Sequence, residues 1–84
     1  MTEHKLLDKA LASPANVRFG EMAKLVGAFG FHLSRISGSH HIFVHPDVKE
    51  LVNLQDVEGM AKPYQVRQFL KLVERYNLTM RGES

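Results

Sequence analysis

Phe31 to His45 constrains this chain more than any other stretch. Phe31-His32-Leu33-Ser34-Arg35-Ile36 alternates with a period of two. That sets Phe31, Leu33 and Arg35 on one side, and His32, Ser34 and Ile36 on the other. Ser37-Gly38-Ser39 supplies a tight turn, and His40-His41-Ile42-Phe43-Val44-His45 resumes the extended pattern until Pro46-Asp47 ends it. The spacing predicts an antiparallel hairpin. An isolated hairpin is marginal in water, so the remaining residues must extend the sheet and cover one of its faces.

The flanks supply both. Leu51-Val52-Asn53-Leu54 reads as a third strand, followed by a loop from Gln55 to Ala61 that contains Gly59. Upstream, Thr2 caps a short helix to Ala12 with Leu6, Leu7, Ala10 and Leu11 on its apolar face. Ser13-Pro14-Ala15-Asn16 breaks it. A second helix runs from about Gly20 to Phe29 on Met22, Leu25, Val26 and Phe29, with Gly30 as its left-handed stop. Pro63 opens a last helix, to about Tyr76, whose buried stripe is Val66, Phe69, Leu70 and Val73. The expected fold is α+β, in the order α-α-β-β-β-α. Its three-stranded antiparallel sheet is covered by helices, the second and third being the natural cover.

Composition bounds the class. A chain of 84 residues reads as a single domain, 1–84, with a compact core and no room for a deep substrate chamber. It has no cysteine, which removes disulfides, Cys–zinc sites and thiol nucleophiles together. The first residues lack the apolar core of a signal peptide, and no stretch approaches the roughly 18 apolar residues of a membrane helix. The reading is a cytoplasmic protein with no membrane partner. Net charge is only +2, but it is unevenly spread. Four acids face one base between Asp47 and Glu58, whereas four bases face one acid between Lys62 and Arg75. The C-terminal segment therefore carries a local positive field.

Chemistry centres on His40, His41 and His45. Alternation sends His40 one way and His41 and His45 the other. His41 and His45 stand roughly 13 Å apart at about 3.3 Å per residue, too far to share one ion. No metal site and no cofactor is expected. His40 follows Gly38-Ser39 at the start of a strand, a place both exposed and held by the turn. Imidazole as a group changes charge near neutral pH, which suits proton transfer. On residue type and spacing alone, a polar surface histidine accounts for His40 better than a catalytic one. Arg67, Lys71 and Arg75 recur every four residues, with Lys62 near the start of the same helix. Such a stripe suits successive phosphates, though exposed helix faces commonly look this way. Tyr64 and Tyr76 can stack on bases or simply pack at helix ends.

Taken in order, these residues resemble a known family. Gly30-Phe31, Arg35, Gly38-Ser39-His40-His41-Ile42-Phe43 and His45-Pro46, followed by Lys62-Pro63, Val66-Arg67 and Leu70, are similar to the HicA (YcfA-like) toxins. The likeness spans about Phe19 to Leu78. Residues 1–16 stand outside it as an extra N-terminal helix before a 17–80 core, so the chain looks like a longer branch of the family. The resemblance implies a fold similar to double-stranded RNA-binding domains. It also implies metal-independent endoribonuclease activity on mRNA, with DNA spared, and a HicB-type antitoxin as partner. The family's catalytic histidine directly follows Gly-Ser and so carries over to His40, with Gly38 and Ser39 as the turn presenting it. Arg35, Lys62, Arg67, Lys71 and Arg75 are the residues expected to contact RNA. Two other readings remain: a non-catalytic RNA-binding module of the same fold, and an inactive relative acting only through its antitoxin.

Overall fold

The computed structural model describes residues 2–80. Helix α1 spans Glu3–Ala12, and the Thr2 hydroxyl accepts from the Lys5 N–H at its start. A single 3-10 turn, Pro14–Asn16, leads to helix α2, Phe19–Ala28. Four strands follow: β1 His32–Ser37, β2 His40–His45, β3 Val48–Val57 and β4 Met60–Ala61. Helix α3, Pro63–Tyr76, closes the fold.

The sheet is antiparallel in the order β1-β2-β3-β4, so the expectation of three strands is corrected to four. The residues read as a loop form a second hairpin. Val57 pairs with Met60 across Glu58 and Gly59, both with positive φ (52° and 85°). Two left-handed residues make a turn that matches strand twist. The Asp56 carboxylate accepts the Gly59 N–H at 2.8 Å and helps hold it. Strand β3 is also longer than Leu51–Leu54 alone suggests, because its extensions carry the polar residues Lys49, Glu50, Gln55 and Asp56. The short β4 ties the sheet to the helical layer: the Phe19 N–H reaches the Gly59 carbonyl, and the Ala61 N–H reaches that of Val17.

The helices lie on one face. Met22, Leu25 and Val26 of α2 and Val66 and Phe69 of α3 are almost wholly buried against Phe43, Val52 and Leu54 of the sheet. Leu70 and Val73, expected in the core, are partly buried at its margin, while Leu72 takes a core position. Phe69 meets Phe29 and Phe31 edge-on, each at 5.6 Å between ring centroids, a favoured aromatic geometry. Helix α1 belongs to the same core through Leu6 and Ala10. It is also tied to α2 by Lys9, whose ammonium lies 2.8 Å from the Glu21 carboxylate. Helix α3 stops at Asn77, which takes the left-handed conformation (φ 51°) and lets the Leu78 N–H return to the Val73 carbonyl.

Candidate functional site

The first hairpin turns through Gly38 and Ser39, with Ser37 paired to His40. Gly38 has φ +60°, a value that suits glycine at the first central position of a two-residue turn. The Ser39 carbonyl accepts the Asp56 N–H at 3.0 Å and lies 3.2 Å from His41 Nδ1. The turn is thereby fastened both to β3 and to the next side chain. His40, first residue of β2, leaves a backbone that is held on both sides.

The three clustered histidines separate as the alternation predicts. His41 lies on the helix side, its ring 4.6 Å from that of Phe19. His45 packs 5.0 Å from Phe31, and its Nδ1 accepts the Asp47 N–H at 3.0 Å. Both are engaged in holding the fold. His40 lies on the opposite face with Ile42 and Val44, where its Nδ1 is 3.2 Å from Oδ1 of Asn53 on β3.

Arg35 comes to the same face by a device absent from simple alternation. Leu33 pairs with Phe43, but Arg35 pairs with Ile42, so Ser34 is an extra residue in β1. This bulge reverses the side-chain phase. Leu33 stays on the helix side, Arg35 moves to the open side, and Ile36, opposite His41, returns to the helix side. The expectation that Phe31, Leu33 and Arg35 share a face is therefore corrected. On the open face, Ser37, His40 and Gln55 form one row, and Arg35, Ile42 and Asn53 form the next. Arg35 and Asn53 are thus the diagonal neighbours of His40, within reach of a long side chain.

A groove runs between the outer edge of β3 and α3, lined by Asn53, Gln68, Lys71 and Arg75 among others. Asn53 lines this groove, and its side chain also makes the contact with His40. The β3 edge is free along this stretch because β4 pairs only with Asp56 and Val57. Gln65 of α3, a buried polar side chain, covers part of it by accepting the Gln55 N–H at 2.7 Å.

The basic stripe is exposed but not uniform. Arg67, Lys71 and Arg75 all face solvent. The Arg75 guanidinium lies 2.9 Å from the Glu50 carboxylate, which compensates much of its charge. The Tyr76 hydroxyl donates to the same carboxylate, and this bond first, then Arg75, holds Glu50 below the ordinary carboxylate range. Arg67 and Lys71 make no ion pair among the described residues. Lys62 follows β4 and is the N-cap residue of α3. It stands just past the Asp56–Ala61 pair, at the end of the strand pairing. Sequence reasoning misses Asn53, which the spacing marks only as a strand residue. Its polar side chain between two core positions, Val52 and Leu54, was the available signal.

Among the described residues, no three His, Asp or Glu side chains come together as a metal-binding group. No described helix is long and apolar enough to cross a membrane. The sequence model of the HicA toxin of bacterial toxin–antitoxin systems matches residues 19–74, well over half the chain. That match takes in β1, β2 and β3, the Gly38-Ser39 turn, His40, Asn53 and nearly all of α3. No curated protein and no solved structure matches the chain.

Proposed function

The chain belongs to the HicA toxins of bacterial toxin–antitoxin systems, and on that premise we propose that it is an endoribonuclease that cleaves mRNA with His40 as its acid–base residue. One observation carries the reading. Of the three clustered histidines, His40 is the one turned away from the core, and the Ser34 bulge brings a guanidinium to the same face.

RNA carries its own nucleophile. In the proposed reaction His40 takes the proton of a 2′-hydroxyl, whose oxygen attacks the adjacent phosphorus. The P–O5′ bond breaks as the new P–O2′ bond forms, and the departing 5′-oxygen acquires a proton. The products end in a 2′,3′-cyclic phosphate and a 5′-hydroxyl. DNA lacks the 2′-hydroxyl and is not a substrate. One imidazole does not serve as base and acid in the same step, so water or Lys62 protonates the leaving oxygen. Arg35 stabilises charge on the pentavalent phosphate. Lys71 and Arg75 at the groove, with Arg67 exposed on the same helix, lead the flanking strand, contacting phosphates rather than bases. A HicB-type antitoxin would neutralise the toxin by covering His40 and this basic flank.

The test is incubation of wild-type and His40→Ala protein with a long single-stranded RNA in EDTA. Fragments with cyclic-phosphate ends from the wild type alone are expected. Equal cleavage by folded His40→Ala protein would remove His40 from the chemistry. Intact RNA that nevertheless binds the wild type in a salt-dependent manner would favour the non-catalytic binding module.

A further inference from the structure

We propose that Asn53 is a positioning residue for His40. Its amide carbonyl fixes the neutral imidazole as the Nδ1–H tautomer and leaves Nε2 as the nitrogen that takes the 2′-hydroxyl proton. The inference rests on the reading of His40 as the acid–base group and names how that group is set.

The geometry is specific. Asn53 Oδ1 lies 3.2 Å from His40 Nδ1, across adjacent strands and diagonal in the register. With Oδ1 facing the ring, Nδ1 is the nitrogen that carries the hydrogen, since a carbonyl oxygen only accepts. Neutral imidazole has one N–H, and Nε2 is then the lone-pair nitrogen. When Nε2 is protonated, Nδ1 remains a donor and the same bond persists. The handle is therefore compatible with both protonation states, and the ring need not turn between steps. An amide also does this without adding charge, unlike a carboxylate, which would favour the imidazolium.

Packing does not account for the residue. Asn is depleted in strands, where Val or Thr fits better. Its neighbours Val52 and Leu54 are buried, whereas Asn53 is exposed on the other face. Among the described residues its one side-chain hydrogen bond is to His40. The other two histidines of β2 have their own fixing contacts, a backbone carbonyl for His41 and a backbone N–H for His45. These are local in sequence, 2 residues away in each case. His40 is set by a residue from a different strand, 13 positions away.

Nitrogen-15 NMR of the imidazole, read at a pH where His40 is neutral, tests this directly. The wild type should show the Nδ1–H form. Asn53→Leu should move His40 toward the Nε2–H form, and Asn53→Asp should retain Nδ1–H. In RNA cleavage, Asn53→Leu should lower kcat about 10- to 100-fold with KM little changed, less than the roughly 10²- to 10⁴-fold that an acid–base group itself contributes, because Asn53 only positions that group. Asn53→Asp should recover most of the rate, with its pH–rate profile displaced to higher pH. An Nε2–H tautomer in the wild type, or one unchanged by Asn53→Leu, would overturn the proposal even if the protein cleaves RNA. A tautomer that depends on Asn53 in a wild type that leaves RNA intact would uphold the positioning role and remove the nuclease reading.

Discussion

Within β2, neighbouring histidines that look alike in sequence do different work because strand alternation and local partners separate them. The separation of His40 from His41 and His45 was legible, since a period of two needs no coordinates. The position of Arg35 was not, because nothing in Leu33-Ser34-Arg35 announces an extra residue. Gly30 is a further position where the sequence hinted at less than the structure uses. The sequence marks it as a helix stop, and its φ of +93° fits that role. A Cβ there would also come within 3.1 Å of His45 Nε2. Gly30→Ala should therefore destabilise the fold by about 1–2 kcal/mol from backbone strain, with some addition from the crowded ring. Urea unfolding with an unchanged slope would measure it, and an unaltered midpoint would mean that the chain relaxes at no cost.

The last helix shows how an element can serve the core and a surface at once. Its start at Pro63 and its end near Tyr76 were readable from proline placement and apolar spacing. Its buried Gln65 was not, since a polar residue on a core face has no meaning until its partner is known. Gln65→Leu keeps the volume but removes the acceptor for the Gln55 N–H. The expected loss is about 1–3 kcal/mol, the cost of leaving a partly buried donor unmade. Amide exchange at Gln55 should accelerate in the variant, and unchanged exchange would show that water replaces the bond. The fourth strand escaped for a related reason. Glu58-Gly59 lacks the Asn or Asp that normally signals such a turn, and Met60–Ala61 is too short to show alternation. On the exposed side of α3, Arg67→Gln and Lys71→Gln in a His40→Ala background should each reduce the salt dependence of RNA binding by about 0.7 in log–log slope. Arg75→Gln should reduce it less, because Glu50 already compensates that charge. Equal slopes for all three variants would argue against phosphate contact along the stripe.

Across the whole molecule, electrostatics and packing tie the outer pieces to the centre. Glu21 is held below the ordinary carboxylate range, first by the Lys9 ammonium and then by the Arg18 N–H. Glu50 is held below it by Tyr76 and Arg75. Both carboxyls release their protons more readily in the folded chain than in the unfolded one. Their stabilising contribution is therefore present above the ordinary carboxylate pKa and is lost as pH falls through the lower folded values. The urea midpoint should decline between about pH 5 and pH 3, and a Glu21→Gln, Glu50→Gln double variant should decline less. A parallel decline in both proteins would assign acid sensitivity to other groups. The Lys9–Glu21 pair also bears on how the chain may be cut. Residues matching the family begin at Phe19, which invites trimming to a minimal fragment. Yet Leu6 and Ala10, well upstream, are more deeply buried than Phe43 or Val52 of the sheet. Removing them would lay bare a greasy scar on α2 and α3, and the shortened protein should come out of cells in aggregates.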